Sequence, residues 1–536
     1  MGFDFRECNY TPYCLIAHIL NIAQMGIFDI FFHGNVTNFV SGSRGSAWKL
    51  RYTAKMKAMK SFPSRIYFFA LILRLFPVLL TGSLGIGLDD MFQYDMLARS
   101  IASGNGFRWY AYEDLQRLEA YIDFDLAAID YDPVRGVVTS FRAPLYPAFL
   151  ALIYSLAGTG PGRFFAARLV QAGITACMAP LTYKISQELF RGDEKIARRA
   201  AWIIAAYPLL LIYPIGLATE NLFFVLVLAA FFFLLKIVDS DTPERYAFLS
   251  GIFLALTALT RSVILPFSGL AVLWVWFVLK ERRSAIIVFL TFSLLITPWI
   301  IRNSLLHQRL TGIETSMGYN LYVGYHPESD GSFTIDASLD LLTILDDAER
   351  DQVAIEQALD FIKANPERIL ALALNRLRFF FGLEKRALIY FYSNNLLGYV
   401  PLPLLLLAAT VLLFPFVLVS TSAVLGASLT RLRAETSLLY ILLMIYILPH
   451  VLILAEDRFH LAITPFFALL AAKAWTDGLP AFRQRWREKL FGKVAVSLAL
   501  LMAILLLVSW SLEFIHEWDM IVTLFSSEGN QMYLPY

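Results

Sequence analysis

Runs of about 18 or more apolar residues recur from one end of this chain to the other, and each is long enough to cross the hydrocarbon of a bilayer as a helix. Only helices and closed barrels satisfy their backbone hydrogen bonds in lipid, and long unbroken apolar runs select the helix. The 536 residues are 58% hydrophobic and 16% charged, against roughly 25% charged in an ordinary soluble domain. The expectation is therefore an all-α polytopic membrane protein with one large helical domain. No sizeable stretch combines basic residues with solubility, so nucleic acid is not a partner. Cys8, Cys14 and Cys177 are too few and too scattered for a disulfide framework or a metal-ligand pattern.

Twelve spans are predicted, over residues 66–88, 144–157, 164–190, 200–217, 221–238, 246–266, 269–279, 285–301, 400–422, 438–454, 461–474 and 494–512. Arg51, Lys55, Lys57, Lys60 and Arg65 precede the first, which places the N-terminus in the cytoplasm and Asp89–Asp90 outside. The basic loops "RGDEKIARR", "KERR", "TRLRAE" and "RQRWREK" also read as cytoplasmic. Glu220, the segment after Arg302 and the C-terminus then lie outside. One parity conflict remains. Residues 144–190 must cross an odd number of times, yet two helices are read there, so the count is 11 to 13. Residues 1–59 form an N-terminal extension with no cleavable signal pattern. It reads equally as a peripheral amphipathic segment or as sequence upstream of a start at Met56 or Met59.

Two outer segments, 87–143 and 304–395, are too long for simple turns. The first holds ten Asp or Glu against five Arg. In it Tyr94, Leu97, Ala98 and Ile101 recur at helical spacing before Gly104-Asn105-Gly106 stops the helix, which predicts an amphipathic helix on the membrane. In the second, Asp346 or Asp347 caps a helix running to Lys363, and Asn365-Pro366 separates it from a next helix that carries Arg376 and Arg378 to the membrane face.

Charged residues stand where the bilayer makes them costly: Arg142, Arg168, Glu220, Arg261, Arg302 and Arg458 with His460. At mid-bilayer each costs roughly 2.5–3.5 kcal/mol, so each needs a partner or water. Singly, each reads as an arginine snorkelling to lipid headgroups. As a set on one face, together with Asp89 and Asp90, they read as a reaction pocket. Arginines bind a phosphate and neutralise charge developing on it, and a carboxylate accepts the proton of an attacking hydroxyl.

The motifs "DDMFQYDMLARSIASGNGF", "FRAPLYP", "LATENLFF", "LTRSVILPF", "TPWIIRN", "GYNLYVGYHPESDGSF" and "DRFHLAITP" occur in an order that resembles the C-type (GT-C) membrane glycosyltransferases. The resemblance is to the group of the protein mannosyltransferases and the lipid A aminoarabinose transferase. It covers roughly residues 60–475, leaving 476–536 as a basic cytoplasmic loop, a last transmembrane helix and an outer tail. It implies that Asp89 is the catalytic base, with Asp90 where relatives commonly carry Glu. Arg142, Arg458 and Arg261 are implied on the donor phosphate. Glu220, Tyr319, Asn320 and Arg302 are implied as lining, and Phe459 stands where a Tyr often follows the basic residue. The donor implied is a polyprenyl-phosphate-linked sugar, and the acceptor a glycan, lipid or protein hydroxyl reached at the outer face of the plasma membrane. No cofactor is certain. A divalent cation, Mg²⁺ or Mn²⁺, held by Asp89, Asp90 and Glu220, stays open. The rival readings are a transporter or flippase of a lipid-linked saccharide, and a noncatalytic subunit in which the acidic pair merely ends a helix.

Overall fold

A computed structural model describes residues 61–530, except for 88, 120–123, 125, 127–130, 390, 391, 393–397, 527 and 528. The extension 1–59 lies outside the described residues. All twelve apolar segments fall on helices. Six helices among the described residues are long and apolar enough to cross a membrane, or seven if one bent pair counts as a single span. The shortfall from 11–13 is one of length. Three further apolar helices have 10 to 17 residues, which at about 1.5 Å per residue falls short of about 30 Å of hydrocarbon.

The first span, α1 (Phe62–Leu80), starts at Ser61 with Pro63 in its first turn and ends eight residues before the predicted boundary. Residues 81–87 then run as a loop. The amphipathic helix α2 (Asp90–Ala102) is capped by Asp89, buries Phe92, Tyr94, Met96, Leu97 and Ala98, and stops before Gly104, whose φ of +79° suits glycine. The short pair β1 (Arg108–Trp109) and β2 (Val137–Val138) is antiparallel with Trp109 opposite Val137, and α3 (Tyr112–Leu118) lies between them in sequence.

Next comes α4 (Leu145–Ala157), of 13 residues. It lies parallel to α2, as two sets of contacts show. Asp90 meets Arg142 at the start of both helices, and further along Asp95 meets Tyr154 (3.0 Å) and Arg163 (2.7 Å). Helices α5 (Arg163–Thr175) and α6 (Met178–Leu189) together make one apolar rod of 27 residues. By length and composition, the segment 144–190 holds one rod long enough to cross. Helices α7 (Glu194–Ala205) and α8 (Pro208–Ile212) form the pair bent by 54°. They are followed by α9 (Glu220–Leu235), α10 (Pro243–Thr260), α11 (Leu265–Phe277) and the long α12 (Arg282–His307).

The second outer segment folds as α13 (Met317–Tyr325), α14 (Ile335–Asp340), α15 (Asp347–Ala364) and α16 (Arg368–Phe380), with a single turn, α17 (Arg386–Leu388), after it. Asp346 is the cap of α15. Arg376 departs from expectation. It is buried, and its guanidinium donates to the carbonyls of Leu452 (2.9 Å) and Gly324 (2.6 Å). A buried guanidinium has five donors to satisfy, and here backbone oxygens take the place of headgroups. The chain ends in α18 (Leu402–Leu429), α19 (Ala434–Leu452), α20 (Thr464–Arg487), α21 (Leu490–His516) and α22 (Trp518–Phe525).

Helices α18 and α20 approach backbone to backbone. A Cβ on Gly426 would lie 1.9 Å from the Leu470 carbonyl oxygen. Gly426→Ala is expected to destabilise the bundle by about 1–3 kcal/mol or more through overpacking, read as a lower thermal midpoint of the detergent-solubilised protein.

Three of the four basic loops converge at one end of the bundle. Arg433 donates to the Leu189 carbonyl (2.6 Å), Arg199 to Trp475 (2.7 Å) and Arg485 to Ser428 (3.0 Å), while Arg431 pairs with Glu488 (2.9 Å).

Candidate functional site

Away from that basic end, a cavity of about 970 Å³ including its open mouth is lined by Asp89, Asp90, Glu220, Arg386, Asp457 and Arg458, among apolar residues of 209–218. Its floor is set by the loop 81–87, and that loop is held by Arg168 of α5. The buried guanidinium donates to the carbonyls of Leu84 (2.6 Å) and Gly85 (2.6 Å) on one side and of Ile215 (2.7 Å) on the other. Arg168 thus bridges the two backbone stretches that lead to Asp89 and to Glu220, so it is not a headgroup arginine. Gln171, one turn along, extends the bridge to Pro214 (3.0 Å) and Gly216 (3.1 Å).

The two aspartates differ sharply in their surroundings. Asp89 faces the cavity and accepts the Met91 N–H at 2.8 Å, as the cap of α2 must. No arginine among the described residues pairs with it. Asp89 is exposed at the cavity mouth, yet the protein atoms crowded round it, then the charge of Asp90, push its carboxyl above the ordinary aspartate value, with the Met91 bond and Arg458 opposing. Asp90 is clamped. Arg142 pairs with one of its oxygens, and Arg458 lies 3.5 Å from the other. Burial works against ionisation there too, but Arg142, Arg458 and Arg261 outweigh it and hold the carboxyl down to about 2. Neighbouring carboxylates driven apart in this way take different roles.

Arg142 arrives from the loop after β2. Its Nε donates to Gln93 at 2.8 Å, and its guanidinium lies over the rings of Tyr94 (5.3 Å) and Phe141 (5.1 Å). Arg261, where α10 ends in extended backbone, pairs with Glu220 at the first residue of α9 (2.6 Å). Arg458 also pairs with Glu456 (2.6 Å), and Glu456 reaches Arg386 (3.3 Å), which in turn meets Asp457 (3.1 Å).

The structure thus gathers Asp89, Asp90, Arg142, Glu220, Arg261 and Arg458. Of these, Asp89, Asp90, Glu220 and Arg458 line the cavity, and Arg142 and Arg261 stand behind the wall, paired with Asp90 and Glu220; the other three predicted residues lie elsewhere. Tyr319 is buried beneath Phe141 with its hydroxyl on the Ser338 carbonyl (3.1 Å). Asn320 lies with it on α13. Arg302 stacks on Trp299 (4.8 Å) and donates to the Thr139 carbonyl (2.7 Å), a bond that braces the approach to Arg142. Sequence reasoning missed Arg386 and Asp457. The second belongs to the quoted "DRFH" run, whereas the first lies far from any motif.

The divalent-ion set does not form a chelate. Among the described residues no three His, Cys, Asp or Glu side chains gather closely enough to hold a metal. Asp90 and Glu220 already spend their charge on Arg142 and Arg261.

The family described as dolichyl-phosphate-mannose-protein mannosyltransferase matches residues 141–301. The chain is therefore similar to the C-type membrane glycosyltransferases of the protein mannosyltransferase type, as its motifs implied. Arg142, Glu220 and Arg261 fall inside the match, and Asp89, Asp90 and Arg458 outside it. A comparison with curated proteins gives no significant match. Among solved structures the chain is similar to the oligosaccharyltransferase AglB from Archaeoglobus fulgidus, in complex with an inhibitory peptide and a dolichol-phosphate, at 15% identity and TM-score 0.45, over 84% of this chain and 55% of that one. It is also similar to ArnT from Cupriavidus metallidurans bound to undecaprenyl phosphate, at 12% identity and TM-score 0.37, over 83% and 80% of the two chains. The chain spans about half the length of the oligosaccharyltransferase. At these scores neither structure lends a residue role to this protein.

Proposed function

We propose that the protein is an inverting glycosyltransferase that moves a sugar from a polyprenyl-phosphate donor to a hydroxyl acceptor. The observation that carries this reading is the division of labour between neighbouring carboxylates. Asp89 has no cationic partner among the described residues and has a raised affinity for a proton, while Asp90 is locked between arginines. Asp89 removes the proton from the acceptor hydroxyl as its oxygen bonds to the anomeric carbon from the face opposite the phosphate. The bond from that carbon to the phosphate oxygen breaks, and its electron pair leaves on the lipid phosphate. Arg142 and Arg458 face the charge that develops there, and Arg261 is kept in range by Glu220. The apolar wall of 209–218 and the lipid-facing helices suit a prenyl chain beside a charged head.

The face follows from charge. Three of the four basic loops share one end of the bundle, and positive loops stay in the cytoplasm. The cavity, built where α1 ends and α9 begins, then opens on the outer face of the plasma membrane, with the N-terminus inside.

Mass spectrometry of lipids that co-purify with the protein tests the donor class. A polyprenyl phosphate or its glycosylated form is expected with the wild type and is expected to be depleted in Arg142→Ala. Ordinary phospholipids alone, equal in both, would remove the support for a lipid-phosphate donor and favour a test of transport.

A further inference from the structure

Behind the wall that carries Arg386 and Arg458 lies a polar cluster with no role in the reaction above. Glu384 and His460 are fully buried, with His460 Nε2 3.0 Å from Glu384 Oε1. The Tyr207 hydroxyl donates to the same oxygen at 2.6 Å. The other imidazole nitrogen, Nδ1, lies 2.7 Å from the Phe380 carbonyl, which can only accept, so Nδ1 carries a proton. A second proton lies on the line between Nε2 and Oε1, whichever atom holds it. Phe416 stacks on the imidazole at 4.3 Å. Glu384 Oε2 is buried without a hydrogen-bond partner among the described residues. A polar group left so costs stability, so the cluster is not explained by stability alone.

Its position gives it a use. Glu384 is two residues before Arg386 and His460 two residues after Arg458, and both arginines line the cavity. The strip 380–386 is fastened along its length. Trp510 of α21 donates to the Phe381 carbonyl (2.6 Å), Glu513 accepts from the Leu383 N–H (3.2 Å), and Lys385 pairs with Glu513 (2.8 Å) and with Glu517. The Glu384–His460 bond ties this strip to the turn 456–462 in the buried interior, beside the His460 contact to the Phe380 carbonyl and the pairing of Arg386 with Asp457. On the cavity side Glu456 spans the same gap, pairing with both Arg386 and Arg458.

We propose that Glu384 is a positioning residue, whose buried hydrogen bond to His460 fixes the spacing of Arg386 and Arg458 as one two-arginine recognition surface for the phosphate of the donor lipid. This rests on the proposed donor class. Neither Glu384 nor His460 touches substrate; they act through the arginines. The last transmembrane helix, α21, belongs to the site by the same argument, since it anchors the strip from behind.

The test measures binding of undecaprenyl phosphate to the full-length, detergent-solubilised protein. In Glu384→Met/His460→Phe the polar pair is replaced by apolar groups of similar size, which avoids stranding one buried charge. Its dissociation constant is expected to rise about tenfold, and kcat/KM for the donor to fall with it while KM for the acceptor stays unchanged. Glu384→Gln is expected to rescue binding to within about threefold, because an amide nitrogen in place of Oε1 donates to both His460 and Tyr207. Wild-type affinity in the paired variant overturns the proposal. So does a tenfold loss in Glu384→Gln, which decides the matter even if the paired variant does not fold. Wild-type protein that binds no undecaprenyl phosphate overturns instead the donor reading on which the clamp depends.

Discussion

Exchanging Asp89 for Asn is expected to lower turnover by about 10²–10⁴-fold, the range in which a positioned general base contributes, while the protein stays folded. The fold is spared because Asn still accepts the Met91 N–H through its side-chain oxygen and is as good a helix cap as Asp. Only the proton acceptor is lost. Asp90→Asn acts differently. It leaves Arg142 and Arg458 without their shared counter-ion, so donor binding and arginine placement change. Initial rates in a sugar-transfer assay, with circular dichroism as the folding control, separate the two. Near-normal transfer by Asp89→Asn beside a dead Asp90→Asn would reverse the assignment. The pH profile gives a second readout. Only the carboxylate form accepts a proton, so activity falls as pH drops through the Asp89 value. That value is raised, which places the acidic limb above the ordinary aspartate value of about 3.9. Asp90, held at about 2, adds no limb in that range.

The second large effect is expected at Arg142. Arg142→Ala removes the partner of Asp90 and of Gln93 and the contacts over Tyr94 and Phe141. A loss of about 10²–10³ in kcat/KM is expected, the scale seen when one donor to a developing oxyanion is deleted. Arg142→Lys should recover only part of this. An ammonium keeps the charge but cannot present a planar fork to the carboxylate and the amide together. The measurement is kcat/KM over a donor titration. Equal activity of wild type, Lys and Ala variants would mean that the leaving phosphate is held elsewhere.

Much of this architecture is legible in the chain, and what escapes does so for physical reasons. Apolar runs predict the helices of the membrane bundle, because hydrophobicity over some twenty residues is a local property, but not short helices such as α3, α14 and α22. Helix α2 and its glycine stop are equally local, as is the Asp346 cap. Crossing number is less accessible. Composition cannot tell that α1 ends at Leu80 and that Arg168, eighty residues on, takes the carbonyls of the following loop. Acidic and basic residues at membrane depth announce a site, and six of the nine predicted residues do converge. Tyr319 and Arg302 lie off the cavity wall, where their contacts are to packing partners and backbone carbonyls that sequence position alone does not reveal. Arg386 had no signal at all. It reaches the cavity through an anchored strip whose fastenings come from Tyr207, His460, Trp510 and Glu513, scattered over three hundred residues.

The outer segments carry one more consequence. Asp347 of α15 is buried and accepts the Thr139 hydroxyl (2.5 Å) and the Ser140 N–H (2.6 Å), three and two residues before Arg142. Phe92, Trp109 and Phe141 of the first segment share one apolar core with Tyr319, Tyr322 and Leu341 of the second. The two stretches, separated in sequence by the nine helices α4 to α12, are thus a single folded cap. Substrate range cannot drift in one half alone. A chimera that imports a foreign first segment without its matching second would lose the buried aspartate's partners, and with them the arginine. The buried Asp347 thus makes the placement of Arg142 depend on both halves at once.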